Sequence, residues 1–528
     1  MPVLFCNTLS LPTIFVFIFL IVLRRKTSKP WPALPRLPII GTLPFVDASQ
    51  FPSQCSHFRK KYGPIFSYKP GLASEVLVVC GARLAKELFI TNSQSFQHRY
   101  CPFFYAPELK LEDHFTPLLN TSPAIQTQRR LIYQAIRSSL MQDEGGATDR
   151  ASRGLLKALK TPMKKLSVTH LELQDILGDA VGLSALSLSY GFNWTTEELR
   201  ACKEVGVLFA AIPEYFGFFN WINETSVSFP FLTHVLAWRS QRIRKKASDA
   251  AQRLLVSYQG LFELTMKKVR SDGVNSLDHS VARIILSNPD ESTPIYRQSR
   301  LCGSAATAAF STTAGTLHLF VGCLAAYPNW QAKLQAEVDE LTQMQILSGS
   351  SHGLPKYVPD KESGSACTVW AFINEVLRYY PIFPINTRVA NQDYTLLDGR
   401  TIKTGQVLFT VPAAINRDPE FHKDPDRFDP ERFLNNESYY SNCGADEKVN
   451  WPKYKHASFG SGRRSCPGSE LAEYSLFVML TRLIYCFELR FEDGLFGDTQ
   501  IKSELIGLET HFSFPKIQFY ERRDLSSI

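Results

Sequence analysis

The stretch that decides the reading of this chain is Phe459-Gly460-Ser461-Gly462-Arg463-Arg464-Ser465-Cys466-Pro467-Gly468. Glycines flank a single cysteine, an arginine stands two residues before it, and apolar residues at Leu471, Tyr474, Val478 and Leu483 mark an amphipathic helix behind it. Such glycines let a loop bring its backbone close to a flat partner. Backbone N–H groups and the N-terminus of the helix favour a thiolate over a thiol. A thiolate bound axially to haem iron pushes electron density onto the metal and favours O–O cleavage. A buried structural cysteine in a glycine turn has the same local signature. The loop by itself leaves both readings open.

Upstream of the loop lie two further patterns, Glu375-Val376-Leu377-Arg378 and Pro430-Glu431-Arg432-Phe433. Residues i and i+3 share a helix face, so Glu375 and Arg378 can pair locally. Taken together, and in this order, the three patterns resemble the cytochrome P-450 family of haem-thiolate monooxygenases. Phe459, Gly462, Arg464, Cys466 and Gly468 fill every fixed position of the family's F-x-x-G-x-R-x-C-x-G loop. The resemblance implies the family's mainly α fold with small β-sheets, haem b with iron ligated by Cys466, and a structural triad of Glu375, Arg378 and Arg432. It further implies cations for the haem propionates at Arg464, His456, Arg388 and Arg129, with Phe459 beside the cofactor. Arg129 sits where the family has W-x-x-x-R, but the tryptophan position is Ile125, and Arg130 is an alternative.

The informative departure is in the long apolar stretch Cys302–Leu324. The family pattern [AG]-G-x-[DE]-T-T aligns with Ala308-Ala309-Phe310-Ser311-Thr312-Thr313. Thr312 stands for the catalytic threonine, while Ser311 replaces the acid and Ala309 the glycine. A serine hydroxyl relays a proton but holds no negative charge at neutral pH. The expected catalytic pair is therefore Thr312 with Ser311, although Ser/Thr back-bonding inside a helix is the plain structural alternative.

Working outward, Val3–Leu23 carries no charge and is long enough to cross one hydrocarbon core, about 30 Å at about 1.5 Å per residue. Arg24, Arg25 and Lys26 follow at once, which places the bulk of the chain on the cytosolic side. The expected domains are an anchor at 1–23, a basic proline-rich linker at 24–46 and a haem domain at 47–528, held at the endoplasmic reticulum membrane. Glycosylation-like triplets at Asn120, Asn193, Asn223 and Asn436 are then expected to stay unmodified. Strands are expected at Ile65–Tyr68 and Glu75–Val79, and helices at Thr127–Leu140, Leu171–Leu186 and Ala237–Val269.

The 528 residues are 44% apolar and 20% charged, a composition that buries a core and excludes a disordered or fibrous chain. A net charge of +8 with no clustered patch gives no case for nucleic acid as a partner. Eleven cysteines without CxxC or CxxCH exclude a disulfide scaffold, a zinc ribbon and covalently attached haem. Aromatic residues at Phe103, Phe104, Tyr105, Phe115, Phe209, Tyr215, Phe216, Phe218 and Phe219 point to a lipophilic small-molecule substrate. The resemblance implies electrons from an NADPH-cytochrome P-450 reductase, docking near Lys453, Lys455 and Arg463. The loop style is nearest to fungal secondary-metabolite members.

Three rivals remain. A haem-thiolate isomerase or dehydratase needs no reductase, and a haem carrier needs no catalysis. A serine hydrolase has one hook, Gly349-Ser350-Ser351-His352-Gly353, which requires a strand before the serine and a helix after it.

Overall fold

The computed structural model describes residues 29–99, 116–140, 146–160, 165–219, 229, 237–288, 293–351, 353–359, 366–434 and 456–524. The expected anchor at 1–23, the aromatic residues at 103–105 and 115, Lys453 and Lys455 lie outside them.

The domain is built around helix α7 (Ile295–Ala326), whose last third, Thr316–Ala326, is wholly buried. By length and apolar character α7 could cross a membrane. Its place is the protein core instead, where it packs against α4 (His170–Tyr190) and α6 (Ala237–Asp272). Gly178 of α4 faces Phe310 of α7, which a Cβ there would meet at 3.8 Å. A Cβ on Gly182 would lie 2.5 Å from the Phe209 ring, which stacks on Phe310 of α7 at a centroid distance of 4.0 Å. Thr169 caps α4 through a reciprocal capping box with Glu172, which satisfies two orphan N–H groups of the first turn.

Around this centre lie α1 (Phe51–Tyr62), α2 (Pro123–Leu140), α3 (Ala147–Leu159), α5 (Lys203–Gly217), α8 (Pro328–Leu347), α9 (Cys367–Tyr379) and α10 (Ser469–Cys486). Strands β1 (Ile65–Tyr68), β2 (Val76–Val79), β4 (Asn386–Val389) and β7 (Val407–Thr410) form one sheet in the order β1-β2-β7-β4. β2 and β7 run parallel and the outer pairs antiparallel. A second sheet joins β3 (Lys165–Val168), β11 (Ile517–Glu521) and β8 (Phe487–Phe491). Two hairpins complete the set: β5 (Tyr394–Thr395) with β6 (Thr401–Ile402), and β9 (Lys502–Ile506) with β10 (Glu509–Ser513). The mainly α architecture with small sheets is the expected one, and each expected helix and strand is present with ends moved by a few residues.

One boundary needs correction. The proline-rich segment read as a spacer to residue 46 is part of the domain from about Pro32 onward. Its extended backbone runs beside β1: Leu34 N–H donates to the Ser67 carbonyl at 3.1 Å, and Ser67 N–H to that of Pro32 at 2.7 Å. Leu34 is buried. Proline fixes an extended path, and an extended path is what the open edge of a sheet can bind. The hydrolase rival also ends here. Ser351 follows α8 rather than a strand, and its hydroxyl donates to the Leu354 carbonyl.

Two of the three sequence patterns meet in one buried cluster. Glu375 and Arg378 are fully buried on α9. Arg378 uses all five of its N–H donors: Nε and one terminal nitrogen grip Glu375 at 2.6 and 2.8 Å, and the rest reach the carbonyls of Asn416, Pro425 and Arg427. Arg432 Nε joins Glu375 at 3.1 Å, and the Asp429 N–H donates to the same carboxylate oxygen at 2.6 Å. Removing one member of such a group leaves the others charged, buried and unpaired, which costs about 3–5 kcal/mol. Glu375→Ala is therefore expected to give little soluble, haem-loaded protein. Expression and thermal melting of Glu375→Ala and Arg378→Ala beside the parent check this; unchanged melting would show the triad to be dispensable.

Candidate active site

The cysteine loop owes its path to two glycines in the left-handed region. Gly460 has φ +69° and Gly462 φ +62°, and a Cβ on Gly462 would lie 1.8 Å from the Phe89 carbonyl oxygen. Only glycine fits that approach. The Cys466 N–H donates to the Phe459 carbonyl at 2.8 Å, closing the loop. Asn416 couples the loop to the ion cluster. Its amide donates to the Arg378 carbonyl at 3.0 Å and to Ser458 Oγ at 3.1 Å, and its oxygen accepts from the Ala457 N–H at 2.7 Å.

Cys466 lines a cavity of about 1890 Å³, counted with its open mouth. Phe459, Gly460 and Gly468 line it from the cysteine loop, Ala308, Ala309, Ser311 and Thr312 from α7, and Leu508 from the β9–β10 turn. Ile132, Val181, Leu188 and Ile382 make much of the remaining wall apolar. Burial pushes the Cys466 thiol up, opposed by the Gly468 N–H and the Arg129 guanidinium. The loop's own dipoles act in the expected direction, and in the protein alone burial outweighs them. A bound metal cation is the group that deprotonates a coordinating thiol outright.

Four arginines, Arg99, Arg129, Arg388 and Arg464, share the same cavity wall, and among the described residues its lining holds no carboxylate. Burial together with the neighbouring cations lowers Arg388 to about 9 and Arg464 to about 10. Arg99 is lowered strongly for the same reasons. Arg464 holds the segment after the described gap, donating to the Leu119 and Pro117 carbonyls at 2.9 and 3.0 Å. Arg129 donates to the Ser465 carbonyl at 2.7 Å. The Nε atoms of Arg99 and Arg464 are buried with no hydrogen-bond partner among the described residues. So dense a set of buried and half-buried cations, with no carboxylate in the lining among the described residues, calls for anions. The two propionates of a haem supply them, and the cavity residues thus fit that cofactor.

Of the expected propionate ligands, Arg464, Arg388 and Arg129 are in the cavity wall, whereas Arg130 is exposed. His456 is not in the wall. It is buried behind the loop, its Nδ1 accepting from the Ser458 N–H at 3.2 Å, near enough to His422 to feel its charge. Three residues before Phe459 the chain has not yet reached the cavity. Arg99 went unread in the sequence because nothing local marks it. It arrives through a bridge between His98 and Val389 at the free edge of β4, which sets it beside Arg388; both donate to the Thr387 carbonyl. Of the aromatic residues expected to face substrate, Phe216 lines the cavity, while Tyr215 and Phe219 are fully buried in the core.

On α7, Thr312 Oγ1 donates to the Ala308 carbonyl at 2.8 Å, and Thr316 Oγ1 to the Thr312 carbonyl at 2.7 Å. Ser311 points its hydroxyl elsewhere, to Glu509 Oε1 at 2.7 Å.

The sequence pattern of the family described as Cytochrome P450 matches residues 32–511. The chain belongs to the cytochrome P450 family. Its fold is similar to a zebrafish cytochrome P450 whose structure was solved with progesterone, at a TM-score of 0.66 and 19% identity, covering 89% of this chain and 99% of that one. Among curated proteins it is 25% identical to carnosic acid synthase of Salvia pomifera, over 92% of each chain. It is 25% identical to tabersonine/lochnericine 19-hydroxylase of Catharanthus roseus over 96% of each, and to nicotine N-demethylase of Nicotiana tabacum over 90% of each. The protein is a haem-thiolate monooxygenase, with haem b ligated by cysteine. When bound, the haem supplies oxygen activation, and the arginine cluster is the set of residues that would hold its propionates. Losing one charge-assisted hydrogen bond costs about 1.5–3 kcal/mol, or roughly 10- to 100-fold in affinity. Arg464→Gln and Arg99→Gln are expected to release haem to apomyoglobin faster by about that factor; release at the parental rate would remove these side chains from the site.

Proposed function

We propose that this P450 takes electrons from NADPH through a flavin-containing reductase and inserts one oxygen atom from O₂ into a lipophilic small molecule, a secondary-metabolite intermediate. The observation that carries the proposal is the shared cavity: Cys466, the arginines, the α7 hydroxyls and an apolar wall all open into one space. In this reading Cys466 is the axial ligand, Thr312 and Ser311 handle protons, and Arg129, Arg388 and Arg464 orient the cofactor by its propionates. Phe459 covers the cysteine side. The apolar wall binds by excluding water from a substrate of matching polarity. The named relatives, a carnosic acid synthase, a tabersonine/lochnericine 19-hydroxylase and a nicotine N-demethylase, support a small specialised-metabolite substrate.

The isomerase reading rested on the absent acid of α7. A carboxylate next to Ser311 takes away its ground. Exposed Arg463, in the cysteine loop, supports reductase docking on that face.

Microsomes carrying the protein are expected to place label from ¹⁸O₂ in the product only when NADPH is present. Conversion without label or NADPH would return the isomerase. Cys466→Ala is expected to lose the thiolate-type carbon monoxide spectrum together with activity. For the proposed anchor, deletion of residues 1–26 is expected to shift the protein into the soluble fraction with that spectrum intact; full retention on membranes would assign anchoring to another part of the chain.

A further inference from the structure

The family pattern puts an acid at the position of Ser311, and the fold brings a carboxylate to that place from another part of the chain. Glu509 opens strand β10, 198 residues downstream, and is buried against α7 with its Oε1 2.7 Å from Ser311 Oγ. The hairpin that carries it is fixed on two sides. The Thr510 N–H donates to the Ile382 carbonyl at 2.8 Å, and Gly507, at φ +63°, lets the turn close against the Phe216 carbonyl. Ser311 lines the cavity while Glu509 does not, so the serine stands between carboxyl and cavity.

The surroundings of Glu509 suit a proton store. Among the described residues no cation pairs with it, and burial raises its carboxyl to about 7, with the Ser311 hydroxyl as the opposing influence. Of the basic groups on the elements packed around it, Lys502 of β9 pairs in register with Ser513 at the other end of the hairpin, Arg297 and Arg300 lie about three turns or more before Ser311 on α7, and His511 of β10 and His318 of α7 remain. Burial lowers both, His318 to about 3, so neither brings a positive charge near neutral pH. Glu504, across the hairpin, pairs in register with His511 rather than with Glu509, which faces Ile506.

We propose that Glu509 and Ser311 together replace the acid absent from α7, with Glu509 storing a proton and Ser311 passing it into the cavity beside Thr312. The Glu509 O–H bond breaks as its proton moves to Ser311 Oγ. The Ser311 O–H bond breaks in the same relay, and its proton goes to an acceptor oxygen in the cavity. The carboxylate left behind takes a proton back from solvent water, so the side chains return to their starting state. A hydroxyl both accepts and donates, which the relay requires. The proposal rests on the monooxygenase reading, whose reduction of O₂ consumes the protons.

A purely mechanical tie between hairpin and helix is the competing role, and Glu509→Gln separates the two. Glutamine keeps an oxygen to accept from Ser311 but carries no transferable proton at neutral pH. Full-length holoenzyme in microsomes with NADPH, P450 reductase and 7-ethoxycoumarin as probe is expected to lose product per NADPH by about 10²-fold in Glu509→Gln, the low end of a general-acid contribution. Hydrogen peroxide release rises to match, KM is unchanged, and Glu509→Asp recovers part of the coupling. Infrared difference spectra of the substrate-free holoenzyme give a readout apart from turnover: a protonated-carboxyl band that titrates away with a midpoint near 7, absent in Glu509→Gln and shifted in Ser311→Ala. Parental coupling in Glu509→Gln, or a carboxyl ionised throughout the titration, overturns the proposal. If 7-ethoxycoumarin is not turned over by the parent, the infrared titration decides alone. An intact titrating band in an enzyme that incorporates no ¹⁸O strikes the monooxygenase reading instead of the carboxyl assignment.

Discussion

The buried Glu375–Arg378–Arg432 cluster is the constraint on which the remaining structure hangs. A carboxylate and two guanidinium groups out of water are tolerated only when every donor and acceptor is matched, and here backbone carbonyls from residues 416–427 complete the set. Those carbonyls belong to a loop with no regular secondary structure. The cluster therefore converts a floppy connection into a rigid frame. Asn416 then hands that rigidity to Ala457 and Ser458, and so to the start of the cysteine loop.

The cavity side shows the opposite balance. There, four guanidinium groups gather, with no carboxylate in the lining among the described residues, and burial together with cationic neighbours loosens the protons of Arg99, Arg388 and Arg464. The frame is self-sufficient; the cavity wall is not, and its charge is complete only with an anionic guest. A ligand that binds the folded chain and not the unfolded one adds directly to stability. Haem binding therefore adds to the stability of the folded chain, and the cluster beneath holds the loop in place through contacts that do not involve the guest.

Much of this was legible in the sequence because the decisive contacts are local or tied to fixed spacings. Glu375 and Arg378 are one helical turn apart, and Gly462 announces the close approach to Phe89 by being glycine. The positions that escaped reading all depend on tertiary proximity. Arg99 reaches the site across a β-bridge, and Glu509 meets Ser311 over 198 residues. His456, which the resemblance offered as a propionate cation, is buried outside the cavity lining. The proline-rich segment was read correctly as extended and wrongly as free, since periodicity says nothing about which sheet edge an extended strand will find.

That docked segment sets a length. Between Leu23, where the uncharged run ends, and Pro32, whose carbonyl is held by Ser67, eight residues intervene. Fully stretched they reach about 26–29 Å, at roughly 3.3–3.6 Å per residue. With the anchor proposed above, the tether is too short for the domain to drift or tumble far from the bilayer. Exposed Leu37, Ile39, Ile40 and Phe45, just beyond the tether, are thereby held within reach of the lipid surface. A lipophilic substrate partitioned into that surface would meet the enzyme at the membrane's local concentration rather than that of the surrounding water.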